Sequence, residues 1–197
     1  FIALSKTVKL ILIIHDLSFK IFPEFFSRKM RWWHQLINPK KLCKLADKII
    51  TVSESSKNDL IQLYGLNSNK IKVVYPGLDA KFKIIQDQEK LKQAQKKYAL
   101  PDNFILAVGA LEPRKNIEAT IKAFELLLLG DDLSNRNALA GDLADSPIFW
   151  QNKKDLNLVI VGGYGFKHQK ILFLRQKSKL ADKIKIIKPV GHQDLPY

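Results

Sequence analysis

The chain is short of acid. Nineteen Asp and Glu stand against 33 Lys and Arg among 197 residues, a formal charge of +14. A surplus of that sign attracts phosphorylated substrates, anionic lipid and nucleic acid. Lysine spread along the whole chain is equally what a biased genomic composition leaves. Nucleic acid is not an expected partner, because no recognised nucleic-acid module and no aromatic stacking platform occurs. Cysteine is nearly missing, and Cys43 alone cannot form an internal disulfide, so a reducing compartment is allowed. No apolar run approaches the ~20 residues of a membrane-crossing helix, and the run at 8–14 is far too short. Neither a Walker loop with Gly-Lys-Ser/Thr nor a G-x-G-x-x-G dinucleotide fingerprint is present.

What is present is a set of short apolar runs, each followed by a glycine or a helix cap. The central one is Phe104-Ile105-Leu106-Ala107-Val108, the kind of run a parallel strand buried on both faces requires. Gly109 ends it. Asn116 can then cap a helix whose apolar positions, Ile117, Ile121, Phe124 and Leu128, recur at helical spacing. A strand, a tight glycine turn and a helix start aim free backbone N–H groups at one spot, which suits an anion. Arg114 and Lys115 stand at its mouth, and two fixed cations favour a diphosphate over a single phosphate. Basic residues ahead of a helix are also commonly just solvated, and both readings are open on pattern alone.

The octapeptide Gly109-Ala110-Leu111-Glu112-Pro113-Arg114-Lys115-Asn116 resembles the nucleotide-diphosphate loop of glycosyltransferase family 4. The resemblance implies an α/β fold of the GT-B type, two Rossmann-like parallel-sheet domains, both incomplete in this chain. It places donor-diphosphate binding on Arg114, Lys115 and Gly109. Many members have Gly-Arg where this chain has Gly109-Ala110, so one usual phosphate contact is absent here or supplied by Arg114.

Taken in order, 8–14 reads as a strand with His15-Asp16 at its carboxyl end, the edge that lines the ligand crevice of an open parallel sheet. A His-Asp pair there is also ordinary loop furniture. The longer string His15-Asp16-Leu17-Ser18-Phe19, then Phe22-Pro23-Glu24, is similar to a segment of mannosyltransferase-like members, and by that likeness His15 inherits a catalytic role beside the donor sugar. Residues 27–48 read as helical with a break at Asn38-Pro39. Their Arg28, Lys29, Arg31, Trp32 and Trp33, followed by further lysines, suit an anionic membrane surface. A packed helix with a solvated basic face explains them as well.

A second strand at 49–52 leads to Ser53, a helix cap, with Glu54 in the first turn. The segment Ala46 to Ser56 resembles the family's ADxIITVSExS string. Ser53, Glu54 and Ser56 thereby become acceptor-side candidates, with structural capping an equal explanation for all three, and Asp16 beside His15 is a further acceptor-side candidate. Residues 70–75 are a third strand closed by Pro76-Gly77. The domains expected are 1–85, a polar linker at 86–103, and 104–197, with a surface insertion at about 130–155. Asp131, Asp132 and Asp142 in that insertion lack EF-hand spacing, and no Asp-x-Asp of the metal-dependent glycosyltransferases occurs. Beyond a strand at 156–161, Gly163 and Gly165 resemble the family's donor-side loop.

The resemblance covers nearly all of this chain but only the middle of the family's length. The family's Glu-x7-Glu motif and its opening strand with a glycine loop are not in the sequence, so the polypeptide alone is expected to be a weakly active or inactive fragment. The function implied is retaining transfer of a hexosyl, in particular mannosyl, group from a nucleotide-diphosphate sugar to a glycan or lipid-linked acceptor. No cofactor and no metal is expected, the nucleotide sugar being a substrate. The location implied is cytoplasmic, with peripheral contact at the inner membrane face through 28–48. The rival is a non-catalytic basic protein that binds membrane or nucleic acid.

Overall fold

Short β-branched runs separated by capped helices build parallel sheets, because each crossover helix returns the chain to the same end of the sheet. The computed structural model describes residues 8–129 and 155–196. The expected insertion at about 130–155 lies outside the described residues, save for Asp155. The chain divides into two compact units, Phe1–Ala80 and Lys81–Tyr197.

In the first unit, β1 (Ile11–Ile14), β2 (Lys48–Thr51) and β3 (Ile71–Val73) form a parallel sheet in the order β1-β2-β3, with Ile13 opposite Ile50 and Ile50 opposite Lys72. Between β1 and β2 run α1 (Ser18–Ile21), α2 (Arg28–Ile37) and α3 (Pro39–Leu45). The break between α2 and α3 is built by Asn38 at φ +49, whose side chain accepts from the Lys41 N–H at 3.1 Å. Pro39, having no N–H, opens α3 at no cost in hydrogen bonds. Helix α4 (Glu54–Tyr64) follows β2 and ends on Gly65 at φ +67, the left-handed position that glycine takes without penalty. Leu17, Cys43, Ile49, Leu60, Tyr64 and Ile71 form the core.

In the second unit, β4 (Phe104–Val108), β5 (Asn157–Val161) and β6 (Ile184–Ile187) are again parallel, in the order β4-β5-β6. Helix α6 (Ile117–Leu129) follows β4, and α7 (His168–Lys177) lies between β5 and β6. Ile117, Ile121 and Phe124 are the buried stripe of α6, packed on Leu158, Ile160, Ile171 and Ile184. Each such side chain removed from water contributes about 1.5–3 kcal/mol before chain entropy is subtracted.

Residues 86–103, expected as a linker, lie within the second unit. Helix α5 (Gln88–Tyr98) is capped by Asp87 and buries Ala94. Its end is fastened to the chain's far end, where Asp194 accepts from Lys97 Nζ at 2.8 Å and from the Tyr98 hydroxyl. Those two donors hold the Asp194 carboxyl below the usual carboxylate range.

The expectation of strands buried on both faces is met at β5, where Leu158, Val159 and Ile160 are fully buried. It is corrected at β1 and β4. Ile11 and Ile13 are 58% and 62% exposed, Leu106 and Val108 52% and 56%. Both strands lie at a sheet edge, so their alternate side chains have only one packed face among the described residues.

Candidate functional site

The loops that leave β4 and β5 run side by side because the ladder between those strands continues past their ends. The Gly109 N–H donates to Val161 O at 2.9 Å, the Leu111 N–H to Gly163 O at 2.8 Å, and the Gly165 N–H to Leu111 O at 3.2 Å. Leu111, fully buried, forms a parallel bridge with Tyr164. The crossing demands glycine at Gly162, where a Cβ would fall on the Gly109 carbonyl oxygen, and at Gly165, where it would meet Glu112 Cβ at 2.9 Å. His168 fixes the second loop through a 2.9 Å hydrogen bond to Gly165 O and by stacking on Tyr164 at 4.7 Å.

Pro113–Lys115 is a single 3-10 turn, and Asn116 at φ +50 turns the chain into α6, its carbonyl accepting from the Ala119 and Thr120 N–H groups. The Lys115 side chain runs back over Gly109, with Cγ and Cδ 3.5 Å from the position a Cβ there would take. Arg114 is already engaged. Its Nε and Nη2 donate to one Glu112 carboxylate oxygen at 3.2 and 2.9 Å. So Gly109, Arg114, Lys115, Gly163 and Gly165 gather at the carboxyl end of one sheet, with Glu112 among them. Glu112 lies in the resembling octapeptide with no role assigned by the pattern, and nothing in the sequence marks His168.

The first unit gathers the other candidates at the carboxyl end of its own sheet. Ser56, 6% exposed, donates its hydroxyl to His15 O at 2.8 Å, and its N–H goes to Ser53 Oγ at 3.1 Å. Both hydroxyls are thereby engaged in joining the start of α4 to the end of β1, and that geometry presents His15 at the surface. The Asp16 carboxylate accepts from the Ser18 N–H at 2.9 Å and from the Ser18 hydroxyl. Glu54 is exposed and 3.9 Å from Lys57. Burial pushes the Cys43 thiol above its usual range, with Lys70 pulling weakly the other way, so the thiol is a packing group and not a nucleophile. Among the described residues, no set of three His, Cys, Asp or Glu side chains is placed to hold a metal ion.

Two parallel α/β units, each with its candidate loops at the strand ends, define the GT-B class of glycosyltransferase fold. Residues 1–82 match the family model described as Glycosyltransferase Family 4. The chain is similar to the serotype-specific mannosyltransferase WbdA of Escherichia coli, 32% identical over 107 residues, which is 54% of this chain and 12% of that protein. It is similar to the O-antigen chain mannosyltransferase RfbU of Salmonella typhimurium, 33% identical over 109 residues, 55% of this chain and 27% of that protein. Its fold is similar to that of Anabaena Alr3699/HepE, solved in complex with UDP-glucose, at a TM-score of 0.63 and 20% identity, covering 95% of this chain and 43% of that one. The chain thus spans less than half the length of each of these proteins.

Proposed function

We propose that the chain serves a retaining, metal-independent glycosyltransferase that moves a hexosyl group from a nucleotide-diphosphate sugar to a glycan or lipid-linked acceptor. Mannose is the favoured sugar, since WbdA and RfbU are named as mannosyltransferases. The observation that carries the reading is the pairing of the β4 and β5 loops through Leu111, which brings Gly109, Lys115 and the Gly163 to Gly165 backbone to one place. A diphosphate there would take the Lys115 ammonium and the Arg114 guanidinium as counter-charges, the latter shared with or released from Glu112. Catalysis would be mainly electrostatic, the two cations offsetting charge that builds on the leaving diphosphate. In this reading His15 contacts the donor sugar, held by the Ser56 hydrogen bond to its carbonyl, while Asp16, Ser53 and Glu54 border the acceptor.

Calorimetric titration of the chain with GDP and with UDP tests the reading. Lys115→Ala should weaken whichever diphosphate binds by about 1–3 kcal/mol, the loss of a charge-assisted contact. Unchanged affinity would remove the loop from the account.

A peripheral contact with an anionic membrane in the cytoplasm is a second reading, favoured by α2. That helix buries no residue and leaves Trp32, Trp33 and Leu36 exposed beside Arg28, Lys29 and Arg31. No described helix is long and apolar enough to cross a membrane. Co-sedimentation with vesicles, with and without anionic lipid, tests it.

A further inference from the structure

The first unit contains a cavity of about 490 Å³ that none of the donor-side or acceptor-side candidates above lines. Three cations reach it from three different helices: Lys20 from α1, Arg31 from α2 and Lys40 from α3. No carboxylate lines it. Among the described residues neither Arg31 nor Lys40 enters an ion pair, whereas Lys9, Lys57, Lys90, Lys97, Arg114 and Lys170 all do. The left-handed Asn38, itself in the lining, joins α2 to α3, and Arg31 and Lys40 on either side of it line one space.

Three rings, Phe19, His34 and Tyr64, form part of the remaining wall beside Pro23, Gln35, Asn38 and Pro39. Phe19 stacks on His34 with ring centroids 4.1 Å apart and planes 8° apart, and Phe26 meets the same imidazole edge-on. Lys20 Nζ lies 5.0 Å from the centre of the Tyr64 ring. Like charges brought together without a counter-charge repel, and an anion seated among them reverses the sign of that interaction. Guanidinium and ammonium groups together suit phosphate oxygens. The volume falls within the ~300–1,000 Å³ of small-molecule sites and exceeds what a bare phosphate fills. Phe19, Tyr64 and the adjoining Pro39 offer apolar surface to whatever the phosphate carries.

We propose that this cavity binds a phosphate ester, its phosphate among Lys20, Arg31 and Lys40 and its remaining part against Phe19 and Tyr64. The ester is either a soluble sugar phosphate or the headgroup of a phospholipid, two sources of one chemistry. The site is separate from the donor loop and stands whether or not the sugar-transfer reading does; its headgroup arm rests on the membrane reading of α2, with which it shares Arg31.

The test uses the full chain, the double variant Arg31→Gln/Lys40→Gln, and the charge-matched control Lys92→Gln/Lys96→Gln on α5, whose side chains do not line the cavity. All four positions are exposed, so the variants keep the fold. Glucose 1-phosphate is titrated by calorimetry, and vesicles of phosphatidylcholine with or without phosphatidylglycerol are co-sedimented. For a soluble ester, glucose 1-phosphate binds and the cavity variant loses at least tenfold in affinity while the control does not. For a headgroup, only the phosphatidylglycerol vesicles bind, and the cavity variant loses more than the control. In the unmutated chain the bound ester should also shield Lys20 and Lys40, but not Lys41, from acetylation read by mass spectrometry. Binding of neither probe, or equal losses in the two variants, overturns the proposal.

Discussion

Arg114 gives both its Nε and Nη2 protons to a single carboxylate oxygen of Glu112, two residues before it. The same Glu112 side chain lies against Gly165 on the neighbouring loop. One carboxylate therefore both tethers a cation proposed to meet a diphosphate and occupies ground that an anion would approach.

Glu112→Gln should tighten GDP or UDP binding about two- to fivefold, the ~0.4–1 kcal/mol of a solvent-exposed ion pair that no longer competes. Titration calorimetry at low salt reads it. No change, with Lys115→Ala still weakening binding, would mean that Arg114 is not a phosphate ligand.

The close crossing of the two loops separates two neighbouring glycines. Gly162→Ala would place a methyl group on the Gly109 carbonyl and should destabilise the second unit by about 1–3 kcal/mol, as overpacking does. Gly163→Ala meets only Pro189 Cγ, at 3.3 Å, and should cost far less. Equal melting temperatures for the two variants would contradict the pairing of these loops.

Thr51 in β2 is fully buried, and its hydroxyl has no hydrogen-bond partner among the described residues. Thr51→Val keeps the shape and removes an unsatisfied group, so stability should rise by about 1 kcal/mol in urea unfolding. A loss of stability would show that the hydroxyl has a partner after all.

Burial pushes the Tyr64 hydroxyl up to about 12, with Cys43 adding to the shift, and pushes the Cys43 thiol above its usual value. Both groups hold their protons more firmly folded than unfolded. The stability they contribute is full below the unfolded values of 9.0 and 10.0 and is lost as pH rises through them towards 12. Urea midpoints measured from pH 8 to 11 should fall from about pH 9, and Tyr64→Phe should flatten the upper part of the decline. A midpoint independent of pH over that span would contradict the buried setting of both groups.

The strands and the order of helices could be read directly, because apolar runs of four to five residues ended by Gly109, Gly162 or Ser53 leave few alternatives. Which strands are covered could not. Val108 and Val161 look alike in sequence, yet one is 56% exposed and the other 8%, since one strand is at an edge and the other is central. The glycines and cations of the β4 loop were legible as a chemical type, and so was the capping by Ser53. The Glu112 tether, the hydrogen bond from Ser56 to His15 O and the convergence of Arg31 with Lys40 depend on backbone paths that residue spacing does not encode. Only the Asn38-Pro39 break hinted at the last of these. The helix at 88–98 reads as polar and solvated in the sequence because its single buried residue, Ala94, is too small to write an apolar stripe.

The bare rows of β1 and β4 carry a practical consequence. Among the described residues no strand pairs with the outer edge of either, and an edge flanked by isoleucine, leucine and valine is a template on which another strand can add, whether from a foreign chain or from a second copy of this one. Self-association should therefore rise with concentration despite the repulsion that the charge of +14 supplies. Clumping would begin at Ile11, Ile13, Leu106 and Val108, while the lysine-rich helices, repelling their like, hold it back.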